Sequence, residues 1–415
     1  MRRPHGWRAR LALYALVPAA LVGLASCGGG GSSRPPASTT PVSNTQPIEA
    51  NFGPANNYTN GLFTNVTICA PSSSNCQTVS DVLVDTGSEG LRLLSSAVTL
   101  SLPAETDSSG NDLQECMSFA DGSYLWGPVV GADVQLAGEK ASSVPIQIVS
   151  ASPSFAVPNS CTSGGGPDEN TVASLGANGI LGIGNFRHDC GGACTSSSTA
   201  PKLYYLCPNS VCQSVTVALT GQVQNPVWLF ARDNNGLLIS MPSVPAGGAP
   251  SASGSLIFGI GTQSDNALGT AVIYTTDSSG NFQTTYNGVA YSSSFIDSGS
   301  NAIFFLDHAT LGIPDCSGNL GGWYCPSATV NYTATNTGLN GATGPVTFSI
   351  ANADALFSSN GGANAAFNDL GGDSGTSTST DYFDFGMPFF YGRNVFVGIN
   401  GQSGPNGSVG PYWAY

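Results

Sequence analysis

Short runs of apolar or alternating apolar and polar residues recur along the chain, and each run is bounded by Gly, Asn, Asp, Ser or Pro. Bounded runs of this length are typical of β-strands. The clearest ones cover residues 66–68, 129–136, 215–219, 256–258 and 395–399. Helical patterns are few and short, and they fall on residues 95–99, 308–311 and 352–357. We therefore expect an all-β fold with a few short helices.

Two of the predicted strands end in closely similar motifs. One is V-L-V-D-T-G-S at residues 82–88, and the other is S-F-I-D-S-G-S at residues 294–300. In each motif an apolar run carries an Asp to the end of a buried strand, and a small polar turn follows. More apolar residues follow each turn within a few positions. Asp85 and Asp297 are therefore predicted to form one shared catalytic site.

A third copy of the four-letter pattern, D-S-G-T at residues 373–376, shows how much the flanks matter. Gly-Gly precedes this copy and a Ser/Thr-rich stretch follows it. Without apolar flanks, the sequence is typical of a polar turn rather than of a buried strand end. The flanks, and not the four letters alone, carry the prediction of a site.

Two aspartates become catalytically useful together when they lie so close that both cannot be ionised. One keeps a proton and acts as an acid, while the other acts as a base toward a water molecule. The first hydroxyl residue after each Asp can lock the two turns together, the second can donate to the carboxylate, and the glycine between them permits close backbone approach. These supporting residues are Thr86, Gly87, Ser88, Ser298, Gly299 and Ser300.

Other hydrolytic chemistries find little support in the sequence. Beyond the N-terminal leader the chain has two histidines, His188 and His308, and neither has the spacing of a metal ligand or lies near a G-x-S-x-G serine. We expect His308 to have a structural role at a helix start or turn. No metal and no cofactor are predicted.

The N-terminus has the pattern of an export signal. Four arginines precede an apolar segment at residues 11–25, and L-A-S-C at residues 24–27 resembles a bacterial lipobox. We expect residues 1–26 to be a lipoprotein signal peptide, Cys27 to be lipidated, and residues 27–47 to be a Gly/Ser/Pro tether. The Gly that follows Cys27 resembles the pattern of lipoproteins sent to the outer membrane, facing the periplasm or the exterior. A plain signal peptide that is cleaved nearby is the alternative.

Charge and length restrict the function classes further. Removal of the leader with its four arginines changes the net charge from −14 to −18, which makes nucleic acid an unsuitable partner. Only 9% of the residues are charged, as suits β-structure with polar, uncharged faces. The residues from Ile48 onward are numerous enough for two lobes, which we place at 48–225 and 226–415.

The ten cysteines after Cys27 form an even number in a compartment that permits disulfides. Spacing favours three pairs, and the remaining four cysteines could pair locally, pair as a nested hairpin, or bind zinc together with His188. The favoured pairs are Cys69 with Cys76, Cys116 with Cys161, and Cys316 with Cys325. The open cluster is Cys190, Cys194, Cys207 and Cys212.

Together these motifs resemble the pepsin-like aspartic peptidases, in a branch of bacterial lipoproteins. The N-G-I-L-G-I-G segment at 178–184 is similar to the segment behind the first catalytic loop, and residues 383–390 stand where the second lobe's equivalent is expected. Residues 118–123 are similar to the start of the flap hairpin that covers the cleft, and 255–259 to the opening of the second lobe. The resemblance implies an all-β, two-lobed fold with a central cleft.

The resemblance also implies a function, an exported and lipid-anchored aspartic endopeptidase that hydrolyses polypeptides held in its cleft. Two residues depart from the family pattern. The flap tyrosine would fall on Phe119, which has no hydroxyl, although Tyr124 could serve if the hairpin is shifted, and Arg92 stands where the family usually has Trp. These departures leave an alternative open, which is a catalytically inactive pepsin-like protein that binds a peptide or glycan in the cleft.

Overall fold

The computed structural model describes residues 43–196, 200–374 and 382–415. Over this part the chain is mostly β, with short helical segments, and it forms two lobes. The strands that follow the N-terminus build the first lobe, and those that follow residue 235 build most of the second. The predicted lobe boundary at 225/226 falls between the strands Gln213–Ser214 and Gly236–Ser240. The predicted all-β, two-lobed fold is thus confirmed.

The first ten strands vary in length from two to thirteen residues. They are Thr45–Asn51 (β1), Gly61–Cys69 (β2), Cys76–Asp85 (β3), Glu89–Leu94 (β4), Leu113–Ser118 (β5), Tyr124–Leu136 (β6), Glu139–Val149 (β7), Gly179–Ile183 (β8), Tyr204–Leu206 (β9) and Gln213–Ser214 (β10).

The following twelve strands lie at a more even spacing along the chain. They are Gly236–Ser240 (β11), Ala252–Phe258 (β12), Ile273–Thr275 (β13), Phe282–Tyr286 (β14), Val289–Ile296 (β15), Ile303–Phe305 (β16), Val330–Thr337 (β17), Thr343–Ile350 (β18), Gly371–Asp373 (β19), Asp384–Phe385 (β20), Asn394–Gly398 (β21) and Tyr412–Ala414 (β22).

Two sheets contain all of these strands. A fifteen-stranded sheet runs through the first lobe and continues through the pairs β1–β12, β12–β11, β11–β21 and β21–β22 into the second. A seven-stranded sheet, in the order β18-β17-β14-β15-β20-β16-β19, carries the second Asp motif. The continuous sheet joins the two lobes through backbone hydrogen bonds.

The two Asp motifs lie in equivalent strand arrangements. β3 pairs in parallel with β8, which pairs in antiparallel with β4, and Leu181 of β8 faces both Val84 and Leu91. In the second lobe, β15 pairs in parallel with β20, which pairs in antiparallel with β16, and Phe385 of β20 faces both Ile296 and Ile303. This repeated arrangement places each Asp at the end of a central strand, directly before a sharp turn.

Burial along β3 explains why the first Asp lies in the interior. The first half of the strand alternates between exposed and buried residues, whereas its last four residues, V-L-V-D, are all buried. β2 and β8 pair with the two edges of that half, and the burial of four consecutive residues, whose side chains alternate between the two faces, shows that both faces are covered. A continuous apolar run is what such a doubly covered strand requires.

Three short helical segments, at residues 95–97, 308–311 and 353–358, lie where the sequence predicts them, whereas the helix at residues 172–175 was not predicted. A 3₁₀ turn covers Ser95–Ala97, and the α-helices are Val172–Leu175 (α1), His308–Leu311 (α2) and Ala353–Ser358 (α3). Asp307 and Asn352 cap α2 and α3 by accepting hydrogen bonds from backbone N–H groups of the first turn. His308 therefore begins a helix, as expected from the sequence. Within the described residues, no helix is long and apolar enough to cross a membrane.

Asn60 joins the lobes next to the site. Its side chain is fully buried and donates to the carbonyls of Asn301 and Phe367, both at 2.9 Å, while its Oδ1 accepts the Phe367 N–H at 2.7 Å. The Tyr391 hydroxyl donates to the same oxygen at 3.0 Å. A left-handed φ of 57° aims Asn60 at these partners, and Asn tolerates this conformation better than most residues. Asn60 thereby fixes the first lobe against the loops around the second Asp turn.

Five disulfides form within the described residues, including the three pairs that the spacing favours. The four-cysteine cluster pairs locally, as Cys190–Cys194 and Cys207–Cys212, so the zinc hypothesis and the nested hairpin are both wrong. The other three bonds are Cys69–Cys76, Cys116–Cys161 and Cys316–Cys325. Thiolates consumed in disulfides cannot coordinate a metal ion.

The predicted leader and most of the tether, including Cys27, lie outside the described residues. The last three tether residues, Thr45, Gln46 and Pro47, belong to β1 instead. They pair with residues 255–257 of β12, so the lobe begins slightly before the expected Ile48. Hydrogen bonding to β12, which is distant in the sequence, explains this extension. The local pattern of these three residues does not indicate a strand.

Candidate active site

Asp85 is fully buried at the end of β3, and its own turn supplies two hydrogen bonds to it. The Gly87 N–H donates to Oδ1 at 2.8 Å, and the Ser88 hydroxyl donates to Oδ2. Both donors come from within three residues, because the tight turn folds the chain back over the carboxyl group. The local turn therefore orients the carboxyl group, and Asp297 of the other lobe also hydrogen-bonds to it.

Asp297 is bound in the same way in the second lobe. The Gly299 N–H donates to Oδ1 at 2.8 Å, the Ser300 hydroxyl lies 2.8 Å from Oδ2, and Asp297 is fully buried. Ser300 therefore occupies the position that Ser88 occupies in the first lobe. The two predicted half-sites have the same internal geometry.

The two turns are joined by a reciprocal pair of hydrogen bonds. The Thr86 N–H donates to Ser298 Oγ at 3.2 Å, and the Ser298 N–H donates to Thr86 Oγ1 at 2.9 Å. Each hydroxyl then donates across to the other lobe, Ser298 to the Val84 carbonyl at 2.8 Å and Thr86 to the Ile296 carbonyl at 3.4 Å. The residue after each Asp therefore satisfies buried backbone groups of the opposite lobe.

The glycines of the two turns bring the carboxyl groups together. An added Cβ at Gly299 would lie 2.6 Å from Asp85 Oδ1 and 3.2 Å from Asp297 Oδ1, so both carboxyl groups border the same small volume. A Cβ at Gly87 would similarly approach Asp297 Cγ to 2.7 Å. Neither contact is tolerable for a real side chain, and only glycine allows this proximity.

Electrostatics at the dyad follows from burial and proximity. Burial, followed by the neighbouring Asp297 carboxyl group, raises the pKa of Asp85 well above its usual range. The hydrogen bond from Ser88 opposes the shift but is the smaller effect. Two such neighbouring carboxyl groups titrate as a coupled pair, and they hold one proton between them over a broad pH range.

Two side chains at the site were not predicted from the sequence. The Tyr58 hydroxyl, from the segment before β2, donates to the Gly299 carbonyl at 2.8 Å. Asp384 of β20 is buried, and its Oδ2 lies 2.7 Å from Ser300 Oγ. An acid inside the otherwise apolar 383–390 segment was the available signal for Asp384, whereas no local pattern singles out Tyr58, which is 241 residues away from Gly299.

The flap hairpin is formed by β5 and β6, with its turn at residues 119–123. Phe119 is fully buried in an apolar cluster that also contains Tyr58 and Ile180, so a phenyl ring stands where the family resemblance places a tyrosine. Tyr124 is half-buried, and its backbone bonds to Pro167 and Glu169 rather than leaving the hairpin free. The structure thus places Tyr124 at the attachment of the flap to residues 167–169.

A disulfide, a hydrogen bond and a close backbone approach also hold the flap to the segment at 161–169. The Cys116–Cys161 disulfide links β5 to it covalently. At the tip, the Gly166 N–H donates to the Gly122 carbonyl at 3.1 Å, and a Cβ at Gly122 would approach the Gly164 carbonyl to 2.5 Å. A cavity of about 200 Å³ lies between the hairpin and this segment. The flap is therefore docked at its base and its tip.

Arg92 lies on β4 and forms a buried ionic network where the family resemblance expects Trp. Its guanidinium donates to Glu115 of the flap strand at 2.6 Å, to Asp189 at 3.1 Å, and to the Glu89 carbonyl at 2.7 Å. The Tyr204 hydroxyl donates to Asp189. Burial, followed by Glu115, raises the pKa of Asp189 well above its usual range. The network replaces an aromatic contact behind the flap with hydrogen bonds.

Among the described residues, one group has the composition of a metal site. His308, Asp315 and Asp373 place ligand atoms within 4.8 Å of one another at the protein surface, and Asp373 belongs to the third D-S-G-T copy. The His308 imidazole lies 3.0 Å from an Asp315 oxygen, and this ion pair accounts for the proximity. The other histidine, His188, packs against the Trp228 ring.

Comparison with protein families gives a match over most of the chain. The family model described as "Protein of unknown function (DUF3443)" matches residues 40–415. The chain belongs to this family. No curated protein matches it. Among solved structures, the aspartic proteinase from Irpex lacteus has a TM-score of 0.50 and 15% sequence identity over 89% of this chain and 96% of that one. This similarity shows that the DUF3443 chain has a pepsin-like fold.

The docking of the flap leads to a prediction about the Cys116–Cys161 disulfide. Replacing both cysteines by Ser removes a cross-link that spans 45 residues, and we expect the free energy of unfolding to fall by about 2–4 kcal/mol. We also expect faster amide hydrogen exchange across residues 113–126, measured by mass spectrometry. The matched control replaces Cys69 and Cys76, which should leave flap exchange unchanged. Equal flap exchange in both variants would contradict the docking role.

Proposed function

We propose that this protein is an aspartic endopeptidase that hydrolyses peptide bonds with Asp85 and Asp297. One observation carries the proposal, namely that two buried carboxyl groups from different lobes border one volume and are held by matching hydrogen bonds. A merely structural pair of acids would not require glycine at both turns and a reciprocal lock between them. The pepsin-like fold supports the same conclusion at the level of architecture.

The chemistry follows from the unequal protonation of the pair. Charged Asp297 takes a proton from a water molecule, the water oxygen attacks the peptide carbonyl carbon, and Asp85 gives its proton to the carbonyl oxygen. Collapse of the tetrahedral intermediate breaks the C–N bond, the amine leaves with the proton that Asp297 had accepted, and one hydroxyl proton of the intermediate returns to Asp85, which restores both aspartates. The raised pKa of Asp85 supports its role as the acid.

The substrate in this proposal is a polypeptide bound in an extended conformation, with apolar side chains flanking the scissile bond. The resemblance to the pepsin-like peptidases supports this preference, and the fully buried cluster of Phe119, Ile180 and Tyr58 gives the flap an apolar core. Polypeptide specificity then comes from complementary apolar contacts rather than from charge.

The alternative function is binding without catalysis, and two observations favour it. The flap is docked to residues 161–169 through the Cys116–Cys161 disulfide, and both aspartates are fully buried in this conformation. A protein of this kind would hold a peptide or glycan in the cleft without cleaving it. The two functions differ in whether the dyad cleaves the bound peptide, which a cleavage assay decides.

We further propose that the chain is exported and anchored to the bacterial outer membrane through a lipid on Cys27. The N-terminal leader pattern and the lipobox-like L-A-S-C sequence support this localisation. The five disulfides are consistent with an oxidising compartment. The tether would hold the two lobes away from the membrane surface.

The proposed activity is tested by cleavage of a quenched-fluorescent peptide library by the full chain between acid and neutral pH. We expect Asp85→Asn and Asp297→Asn each to lower kcat/KM by at least about 10³-fold, and pepstatin to inhibit the wild type. Activity should fall as pH rises through the raised pKa of Asp85, because the pair then loses its acid.

The control for this assay is Asp373→Asn, which alters the surface copy of the same motif and should retain full activity. Turnover that survives substitution of either dyad Asp would contradict the proposed mechanism. Absence of cleavage at every pH by folded wild-type protein would exclude the endopeptidase and leave the binding function.

The proposed lipid anchor is tested by intact-mass analysis of the mature N-terminus after expression in a bacterial host. We expect an N-terminal Cys27 that carries a lipid, together with partition of the protein into the detergent phase. Cys27→Ser should abolish both properties. A mature N-terminus at another residue, with partition into the aqueous phase, would favour the plain signal peptide.

A further inference from the structure

The Ser300 hydroxyl lies between two buried carboxyl groups. Its oxygen is 2.8 Å from Asp297 Oδ2 and 2.7 Å from Asp384 Oδ2, and Asp384 is only 2% exposed. A serine hydroxyl has one proton, so it can donate to only one of these oxygens. The other carboxyl group must supply the proton of the second hydrogen bond, because two oxygens without a proton between them repel at this distance. One of the two acids is therefore protonated.

The first lobe has no acid at the equivalent position. Strand registers identify the counterpart of Asp384 as Ile180, because Ile180 faces Leu83 and Arg92 just as Asp384 faces Phe295 and Phe304. Ile180 belongs to an apolar cluster and cannot hydrogen-bond to Ser88. The dyad is therefore symmetric in its backbone but asymmetric in the side chains behind it.

The hydrogen bonds indicate which acid holds the proton. Asp297 accepts the Gly299 N–H from its own turn in addition to the Ser300 contact, and donors aimed at a carboxyl group favour its charged form. Asp384 is buried beside this charge, and a second negative charge at that distance would be strongly unfavourable. The proton therefore belongs on Asp384, and the Ser300 proton points at Asp297.

We propose that Asp384 is a positioning residue of the dyad, which donates its proton to Ser300 Oγ so that Ser300 donates to Asp297 and keeps Asp297 the charged member. This inference rests on the proposed peptidase function for its kinetic consequence, but not for the placement of the proton. Asp384 thereby determines which dyad carboxyl group acts as the base. No such selection exists at Ser88, where the equivalent residue is Ile180.

Two substitutions separate the hydrogen bond from the acid. Asp384→Asn keeps the shape and offers an amide N–H to Ser300, so we expect kcat to stay within about threefold of wild type. Asp384→Ile copies the side chain found at Ile180 and removes the donor, so we expect kcat to fall about tenfold or more, with KM unchanged. An equal loss in both variants, or no loss in either, would overturn the positioning role.

A second measurement does not depend on activity. The infrared difference spectrum of full-chain wild type minus Asp384→Asn at neutral pH should contain the carbonyl band of a protonated carboxylic acid. A carboxylate band in its place would show that Asp384 is ionised and would overturn the proposal. If the acid band is present but the wild type cleaves no peptide, the proton placement stands and only the peptidase function fails.

Discussion

The reciprocal hydrogen bonds between Thr86 and Ser298 are the constraint on which the site depends. These residues are 212 positions apart, and each one satisfies backbone groups in the lobe to which it does not belong. Without this contact, two identical Asp turns would be separate surface features of two lobes. With it, the carboxyl groups of Asp85 and Asp297 come close enough to share a proton. Asn60 and the continuous sheet act in the same direction by fixing the lobes beside the turns.

The sequence predicts the features of the fold that arise from local chemistry. Apolar runs that end in D-T-G-S and D-S-G-S identify both strand ends, short helical patterns locate three of the helical segments, and short cysteine spacings identify pairs such as Cys69–Cys76. Each of these depends on residues that are near one another in the chain. The flanks leave the third copy at Asp373 out of the dyad, but Asp373 ends strand β19, in which Gly371 and Gly372 are buried, so the prediction of a polar turn is wrong at this residue, and residues 375 and 376 of the copy lie outside the described residues.

The sequence does not predict the contacts that close the site, because they join segments far apart in the chain. Tyr58, Asn60 and Asp384 have no local pattern that assigns them a partner. Arg92 was recognised as a departure from the family pattern, but its partner Asp189 becomes evident only when strand β4 and the segment after β8 pack together. Flap docking is of the same kind, since Gly122 meets Gly166 through loops that no periodicity describes.

The two halves of the site therefore share one backbone and differ in the groups behind it. In the first lobe, Arg92 faces Ile180 across the strand pair, and in the second lobe Phe304 faces Asp384. The ionisable residue thus lies on opposite strands in the two halves. This exchange places the Arg92 network behind the flap and an acid beside Asp297. Asymmetry of this kind is what a reaction with one acid and one base requires.

The contact between the two Asp turns can be measured directly by a double-mutant cycle. The free energy of unfolding in urea would be determined for the wild type, Thr86→Ala, Ser298→Ala and the double variant. We expect a coupling energy of about 1–2 kcal/mol, because each substitution removes the two hydrogen bonds of its own hydroxyl and loosens the turn whose backbone the other hydroxyl binds. Losses that add to within about 0.3 kcal/mol would mean that the turns do not meet, and would contradict the site.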